Sequence, residues 1–345
     1  MNNKKLLPTS LVGSYAQPNW LIDRVKLASD SPPRVKRSDL WNINENFLQE
    51  AQDDATVLAI RDQEKAGIDI LTDGEVRRES YSNRFATALE GIDKNKSGTA
   101  ISRKGTPNAV PLVVGPISRP NPIGVRDIEF LRANTKKEIK ATLPGPFTMS
   151  QQAQDVYYKD PFALAKDYAF AVNLEIKDLF SAGADVVQID EPFLQARPEE
   201  AKKYAIEVIN IALNGIDNTT ALHLCMGYAA MIKDRPNIYH FLSELAESSV
   251  DQISVETAQP NLDLSIFKSL SNKTVILGVL NLGVDEVETP DIVANRIERV
   301  FPYVKPESII TAPDCGFKYM SRELSFAKLQ ALVEGTSIVR DRLAG

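Results

Sequence analysis

The sequence predicts an α/β fold, a TIM (β/α)8 barrel with a β-hairpin insertion after the second strand. Three observations carry that prediction. Short, apolar, β-rich runs alternate with amphipathic helical patterns, the grammar of parallel strands joined by crossover helices. About eight such runs can be counted, the number a closed parallel barrel needs. Each run exits into small, polar or ligand-type residues, as barrel enzymes do at the C-terminal ends of their strands.

Taken in order, the first run lies near 8–13. A helical pattern through Phe47, Ala51, Ala55, Leu58 and Ala59 then leads into Ala66-Gly67-Ile68-Asp69 and a run at 68–73. The interval 91–137 is too long for a plain crossover; it contains Val110-Pro-Leu-Val-Val114 and a Pro-rich turn at 120–122, and reads as the hairpin insertion. The third run is 138–143. Asp160 and Pro161 mark a helix start, and Leu164, Tyr168, Val172, Ile176 and Leu179 give its apolar stripe. That helix stops at Gly183 before the run 185–190. Further runs fall at 220–225, 251–256 and 274–280, and Thr289-Pro290 starts a helix through Ile292, Val293, Ile297, Val300 and Phe301 before the last, 308–312. Periodicity alone also admits a doubly wound open sheet; the strand exits favour the barrel. With no low-complexity linker, residues 1–345 are expected to form one catalytic barrel domain.

Forty Lys and Arg against 46 Asp and Glu leave a net charge of −6, so no basic footprint points to nucleic acid or an anionic membrane. The N-terminal MNNKKLLPTSLVG has no signal-type apolar region, and no run approaches 18 uninterrupted apolar residues, so a soluble cytoplasmic protein is expected. The chain has only two cysteines, Cys225 and Cys315, and two histidines, His223 and His240. A disulfide framework is excluded by number, and isolated thiols in a reducing compartment are buried, metal-bound or catalytic.

The strand exits hold the chemistry. They read Gly13-Ser14, Asp73-Gly74-Glu75, Pro144-Gly145-Pro146, Asp190-Glu191-Pro192, His223-Leu-Cys225, Glu256-Thr257, Leu280-Asn281 and Pro313-Asp314-Cys315-Gly316. His223 and Cys225 are two apart on a strand and share a face. With Glu256 and Cys315 they give one nitrogen, two sulfur and one oxygen donor, a tetrahedral Zn²⁺ set. The plainer reading of a strand His or Cys is a core side chain; its pairing with the other exits favours metal. His240, inside a helical pattern, is read as structural. Two thiolates and a carboxylate make the ion a poor Lewis acid for hydrolysis but suit it to keeping a substrate thiol ionised for attack on an alkyl carbon, with Glu256 the ligand most readily displaced.

Together these motifs resemble the C-terminal catalytic barrel of cobalamin-independent methionine synthase over nearly the whole chain. The resemblance rests on Pro-Thr-Ser-Leu-Val-Gly-Ser14, Asp-Gly-Glu75, Leu-Pro-Gly-Pro146-Phe-Thr, Val-Gln-Ile-Asp190-Glu-Pro, His223-x-Cys225, Val-Glu256-Thr and Pro-Asp-Cys315-Gly, in that order. It implies that zinc on His223, Cys225, Glu256 and Cys315 activates homocysteine for methylation, that Ser14 holds the homocysteine carboxylate, and that Glu75 and Asp190 hold its ammonium. Physical chemistry agrees, since paired carboxylates suit an ammonium and a Gly-Ser turn offers N–H groups to a carboxylate. The plainer readings are a helix-capping turn for Asp190-Glu191-Pro192 and an ion pair of Glu75 with Arg77 or Arg78.

The pattern departs from the family in three places. The stacking tryptophan after Gly-Pro-x-Thr corresponds to Gln152, the basic loop before the third strand to Thr106-Pro-Asn-Ala-Val110, and the proton-donating histidine after the seventh strand to Gly283. No general acid is therefore assigned, and the methyl donor stays open between 5-methyltetrahydrofolate and another methyl carrier, including a carrier protein. Tyr157 and Tyr158 are candidates for an aromatic wall or for helix packing. Alternatives are zinc-dependent alkyl transfer or lyase chemistry on a different thiol, such as coenzyme M, and a non-catalytic zinc-binding barrel; Glu75 and Asp190 favour an amino-acid thiol over a sulfonate.

Overall fold

The computed structural model describes residues 5–29, 31–102, 105–227 and 236–345. Ten α-helices and ten strands are described, in chain order α1 (Arg24–Ser29), α2 (Glu45–Ala66), β1 (Ile70–Leu71), α3 (Asn83–Ala88), β2 (Glu90–Ile101), β3 (Pro107–Ser118), α4 (Val125–Asn134), β4 (Glu138–Pro144), α5 (Pro146–Gln151) and β5 (Gln154–Asp155). There follow α6 (Pro161–Ser181), β6 (Val186–Asp190), α7 (Pro192–Ala196), α8 (Pro198–Ala212), β7 (Thr220–Leu224), β8 (Gln252–Glu256), β9 (Thr274–Leu280), α9 (Pro290–Glu298), β10 (Ile309–Pro313) and α10 (Arg322–Ala344).

Seven strands form one curled parallel sheet in the order β1-β4-β6-β7-β8-β9-β10. They are buried along their length because helices cover the outer face and their own side chains fill the inner one, which is why they read as continuous apolar runs. Ile70, Val186, Ala221, Ile276, Ile310 and Ala312 cluster on the inside, while a much larger core lies between the strands and the helices. α6 shows how sequence sets that outer layer. Asp160 caps its first turn by accepting from the N–H groups of Phe162 and Ala163, and Leu164, Tyr168, Val172, Ile176 and Leu179 are all buried. Gly183 then takes φ +104°, turning the chain toward β6.

Two expected strands are corrected. The run 68–73 contributes only the two residues of β1, and 8–13 contributes single parallel bridges, Thr9 to Thr311 and Ser10 to Ile70, which join the two edges of the sheet. The physical reason lies in who satisfies the backbone. The carbonyl of Val12 accepts from Gln188 Nε2 (2.9 Å), that of Gly13 from Thr72 Oγ1 (2.6 Å) and that of Leu11 from Lys140 Nζ. Interior side chains thus take the place of a ladder and carry the chain into the mouth of the barrel at Ser14.

After β1, β2 and β3 pair antiparallel from Glu90↔Ser118 to Ile101↔Pro107, and β5 adds to β3 in parallel. Part of the connection between β2 and β3 lies outside the described residues. His240 is also corrected: it is an exposed residue in an irregular stretch rather than a helix, its N–H donating to Gln195 Oε1.

Candidate metal and substrate site

Parallel pairing sets the rim. Asp190 is the register partner of His223, His223 of Ser254, and Glu256 of Gly278, so β6, β7 and β8 deliver their last inward-facing side chains side by side. His223, Cys225 and Glu256 are joined there by Cys315, just beyond β10. One donor atom from each lies within 4.8 Å of all the others, and all four residues are buried. The two sulfurs are 3.4 Å apart and are not joined in a disulfide. That separation is far outside a disulfide bond of about 2.05 Å and near the roughly 3.8 Å edge of a tetrahedral dithiolate site.

Surrounding groups fix each donor. His223 Nδ1 is hydrogen-bonded to Ser254 Oγ (2.9 Å), leaving Nε2 buried with no hydrogen-bond partner among the described residues. Leaving such an atom bare costs about 1–3 kcal/mol, so a cation among these donors fits the chemistry of the set. Glu256 Oε1 accepts from the Met226 N–H (2.7 Å) and Cys225 Sγ from the Gly227 N–H (3.1 Å). Asp314, next to Cys315, accepts from the N–H groups of Thr257, Ala258 and Gln259 and so ties the exit of β10 to that of β8.

Ser14, Glu75 and Asp190 line the same cavity as His223, Cys225 and Cys315. Ser14 reaches it because Gly316 has no side chain: a Cβ there would stand 2.1 Å from Ser14 Oγ. Glu75 takes φ +51°, an uncommon conformation for a non-glycine residue, stabilised by its N–H donating to Asp73 Oδ1 (2.9 Å). Its Oε1 accepts from Thr142 Oγ1 (3.1 Å). The suggested ion pair is not what forms: Arg77 pairs with Asp53, and the Arg78 guanidinium lies 3.8 Å from Asp73. Asp190 Oδ1 accepts from Gln188 Nε2 (2.8 Å). Burial pushes the Asp190 carboxyl up to about 7; nearby His223 opposes the shift and Glu75 adds to it. The neighbouring Glu191 has the capping role, accepting from the N–H groups of Phe147 and Thr148 at the start of α5.

Sequence reasoning missed the far wall of the cavity and the layer beneath it. Ala100, Ile101, Ser102, Asn108 and Val110 bring the β2–β3 pair onto the cavity. Gln152, which also lines it, donates to the Tyr81 hydroxyl (2.7 Å), and the Arg34 guanidinium lies 4.9 Å from the Tyr81 ring centre. Tyr157 and Tyr158 are not among the lining residues; the Tyr158 hydroxyl instead accepts from the Ile117 N–H. Beneath the rim, Thr142, Gln188 and Ser254 each stand two residues before a strand exit. Period-two alternation was the available signal for them.

A parallel barrel whose rim gathers two thiols, an imidazole and three carboxylates around one cavity defines a class of enzyme site that could hold a metal ion. Residues 7–337 match the family model described as cobalamin-independent synthase, catalytic domain, and the chain belongs to that family, a methyltransferase of the cobalamin-independent type. A protein from Sulfurisphaera tokodaii named methionine synthase is 34% identical over 349 residues, 99% of this chain and 95% of that one. The solved structure of a B12-independent methionine synthase from a Shewanella species, in complex with selenomethionine, superposes with a TM-score of 0.90 at 32% identity, covering 99% of both chains. A structure from Listeria monocytogenes, at 20% identity and a TM-score of 0.72 over 97% of this chain and 99% of that one, shares the fold.

Proposed function

We propose that the chain methylates the sulfur of L-homocysteine to make methionine, acting as one barrel domain in the reducing cytoplasm, with a 5-methyltetrahydrofolate as donor. The observation that carries this reading is that the four-donor cluster, three of whose members line the cavity, meets Ser14, Glu75 and Asp190 there. The Shewanella relative, described with selenomethionine bound, supports an amino acid of that shape as the ligand.

His223, Cys225, Glu256 and Cys315 would hold zinc. Bound there, the ion supplies one thing, a substrate sulfur kept as thiolate at neutral pH, where a free thiol of pKa near 8.5 is only a few per cent ionised. The chain's own residues do the rest. Ser14 receives the amino-acid carboxylate, while Glu75 and Asp190 pair with the ammonium and so orient the side-chain sulfur toward the cluster. Fixing the thiol in this way converts attack on the methyl carbon into a positioned, effectively unimolecular step. The wall of Tyr81, Gln152 and the β2–β3 pair faces the same space and is assigned to the donor. No side chain is assigned as acid for its leaving nitrogen.

Metal analysis with zinc-edge X-ray absorption, before and after L-homocysteine, tests the proposal. One zinc per chain and one added sulfur neighbour are expected. Zinc whose surroundings ignore homocysteine but gain sulfur from coenzyme M would transfer the activity to a different thiol, and absence of zinc from metal-replete protein would overturn the reading. Single-turnover assays with 5-methyltetrahydrofolate then test the donor.

A further inference from the structure

We infer that Thr142 is a positioning residue that keeps the carboxylate of Glu75 available to the substrate ammonium by separating it from the buried cation of Arg78. The inference rests on the roles given above to homocysteine and Glu75, and deepens them.

Hydrogen-bond direction carries the argument. Arg78 Nη1 donates to both the carbonyl (2.9 Å) and the Oγ1 (3.1 Å) of Thr142. A guanidinium has donors only, so Thr142 Oγ1 is the acceptor in that contact and its single O–H is left to donate. It is directed at Glu75 Oε1, 3.1 Å away. The chain of donors therefore runs one way, from Arg78 through the hydroxyl to Glu75. Glu75 Oε2 has no hydrogen-bond partner among the described residues, and Glu75 lines the cavity.

The surroundings hold the relay rigidly. A Cβ on Gly13 would stand 2.4 Å from Glu75 Oε1 and 3.2 Å from Thr142 Cγ2, so the missing side chain there is the space that carboxylate and methyl share. Arg78 is kept on its side by Asp73, and its carbonyl accepts from Lys318 Nζ (2.8 Å) and Gln17 Nε2 (3.1 Å). A direct Arg78–Glu75 pair would spend the carboxylate's charge inside the protein. With the hydroxyl between them, one oxygen is oriented and the other is left for a ligand.

Calorimetric titration of zinc-replete protein with L-homocysteine and with 4-sulfanylbutanoate, which lacks the ammonium, tests this. Thr142→Val should bind homocysteine about tenfold more weakly, the effect of one lost hydrogen bond to a charged group, with unchanged zinc content and unchanged affinity for the des-amino thiol. Thr142→Ser should restore wild-type values. Equal affinity of Thr142→Val and wild type for homocysteine, or equal losses for both thiols, would overturn the inference. If the valine variant does not fold, Thr142→Ala is held to the same comparison. Wild-type protein that binds both thiols equally would instead remove the ammonium role of Glu75, and this inference with it.

Discussion

His223 shows how a residue outside the four-donor cluster, Ser254, can set one of its donors. With Nδ1 engaged by Ser254 Oγ at 2.9 Å, the ring is fixed in rotation and Nε2 faces the two sulfurs and Glu256. Partners of this kind fix tautomer and orientation, and their loss typically costs 10–100-fold in metal affinity. Ser254→Ala should therefore weaken zinc binding by about that factor in chelator competition, with little change in thermal stability when zinc is saturating. Unchanged affinity would mean that packing alone orients the ring. Gln188 serves Asp190 in the same manner, donating to Oδ1 at 2.8 Å, and Thr142 serves Glu75. Three residues on the inner face thus support three at the rim, Gln188 from within the same strand and Ser254 and Thr142 from a neighbouring one.

Elements differ in how directly their sequences specify them. α6 has a capping aspartate, a first-turn proline, a spaced apolar stripe and a glycine two residues past its end, and local propensity and tertiary demand agree throughout. Asp160→Ala should cost about 1 kcal/mol of stability, read by denaturant titration, and leave homocysteine affinity unchanged because the cap is remote from the cavity. A change in affinity would show that α6 positions β6 and Asp190 through its own register. The opening segment is the opposite case. Its carbonyls at Leu11, Val12 and Gly13 are satisfied by Lys140, Gln188 and Thr72, so it resembles a strand by composition and is a lining loop by contact.

At the scale of the molecule, joining the sheet edges depends on few groups. Thr9 and Ser10 bridge β10 and β1. Asp69 secures the join: Oδ2 accepts from the N–H (3.0 Å) and hydroxyl (3.1 Å) of Thr9 and from Arg340 Nη2 (3.0 Å), while Oδ1 accepts from Lys5 Nζ (2.7 Å). Burial alone would raise this carboxyl, but Lys5, the Thr9 N–H and Arg340 outweigh it and hold it below the ordinary value. A carboxyl lowered in the folded state binds fewer protons than in the unfolded chain, so its contribution is present above about pH 4 and lost as pH falls through the folded value. Asp69→Ala should destabilise the protein at pH 7 by about 3 kcal/mol, and the deficit should narrow below about pH 4. A deficit independent of pH would assign the effect to packing rather than charge.

The sequence by itself determined the parallel α/β architecture, most strand positions, and the residues that meet at the rim. That much is legible because apolar periodicity marks an element by its own neighbours, and a strand exit follows directly from where a run ends. Scarcity helped as well: with two cysteines and two histidines in 345 residues, the pair at one strand end had few competing readings. Only the tertiary structure decided that residues 8–13 join the sheet through two bridges, that His240 lies outside any helix, that Arg78 meets Thr142 instead of Glu75, and that the β2–β3 pair walls the cavity. The physical reason is common to all four. Each depends on which polar group satisfies another far away in the chain, as Lys140 does for Leu11 or Asp314 for Thr257, and such long-range pairings leave no periodic trace in the sequence around either partner.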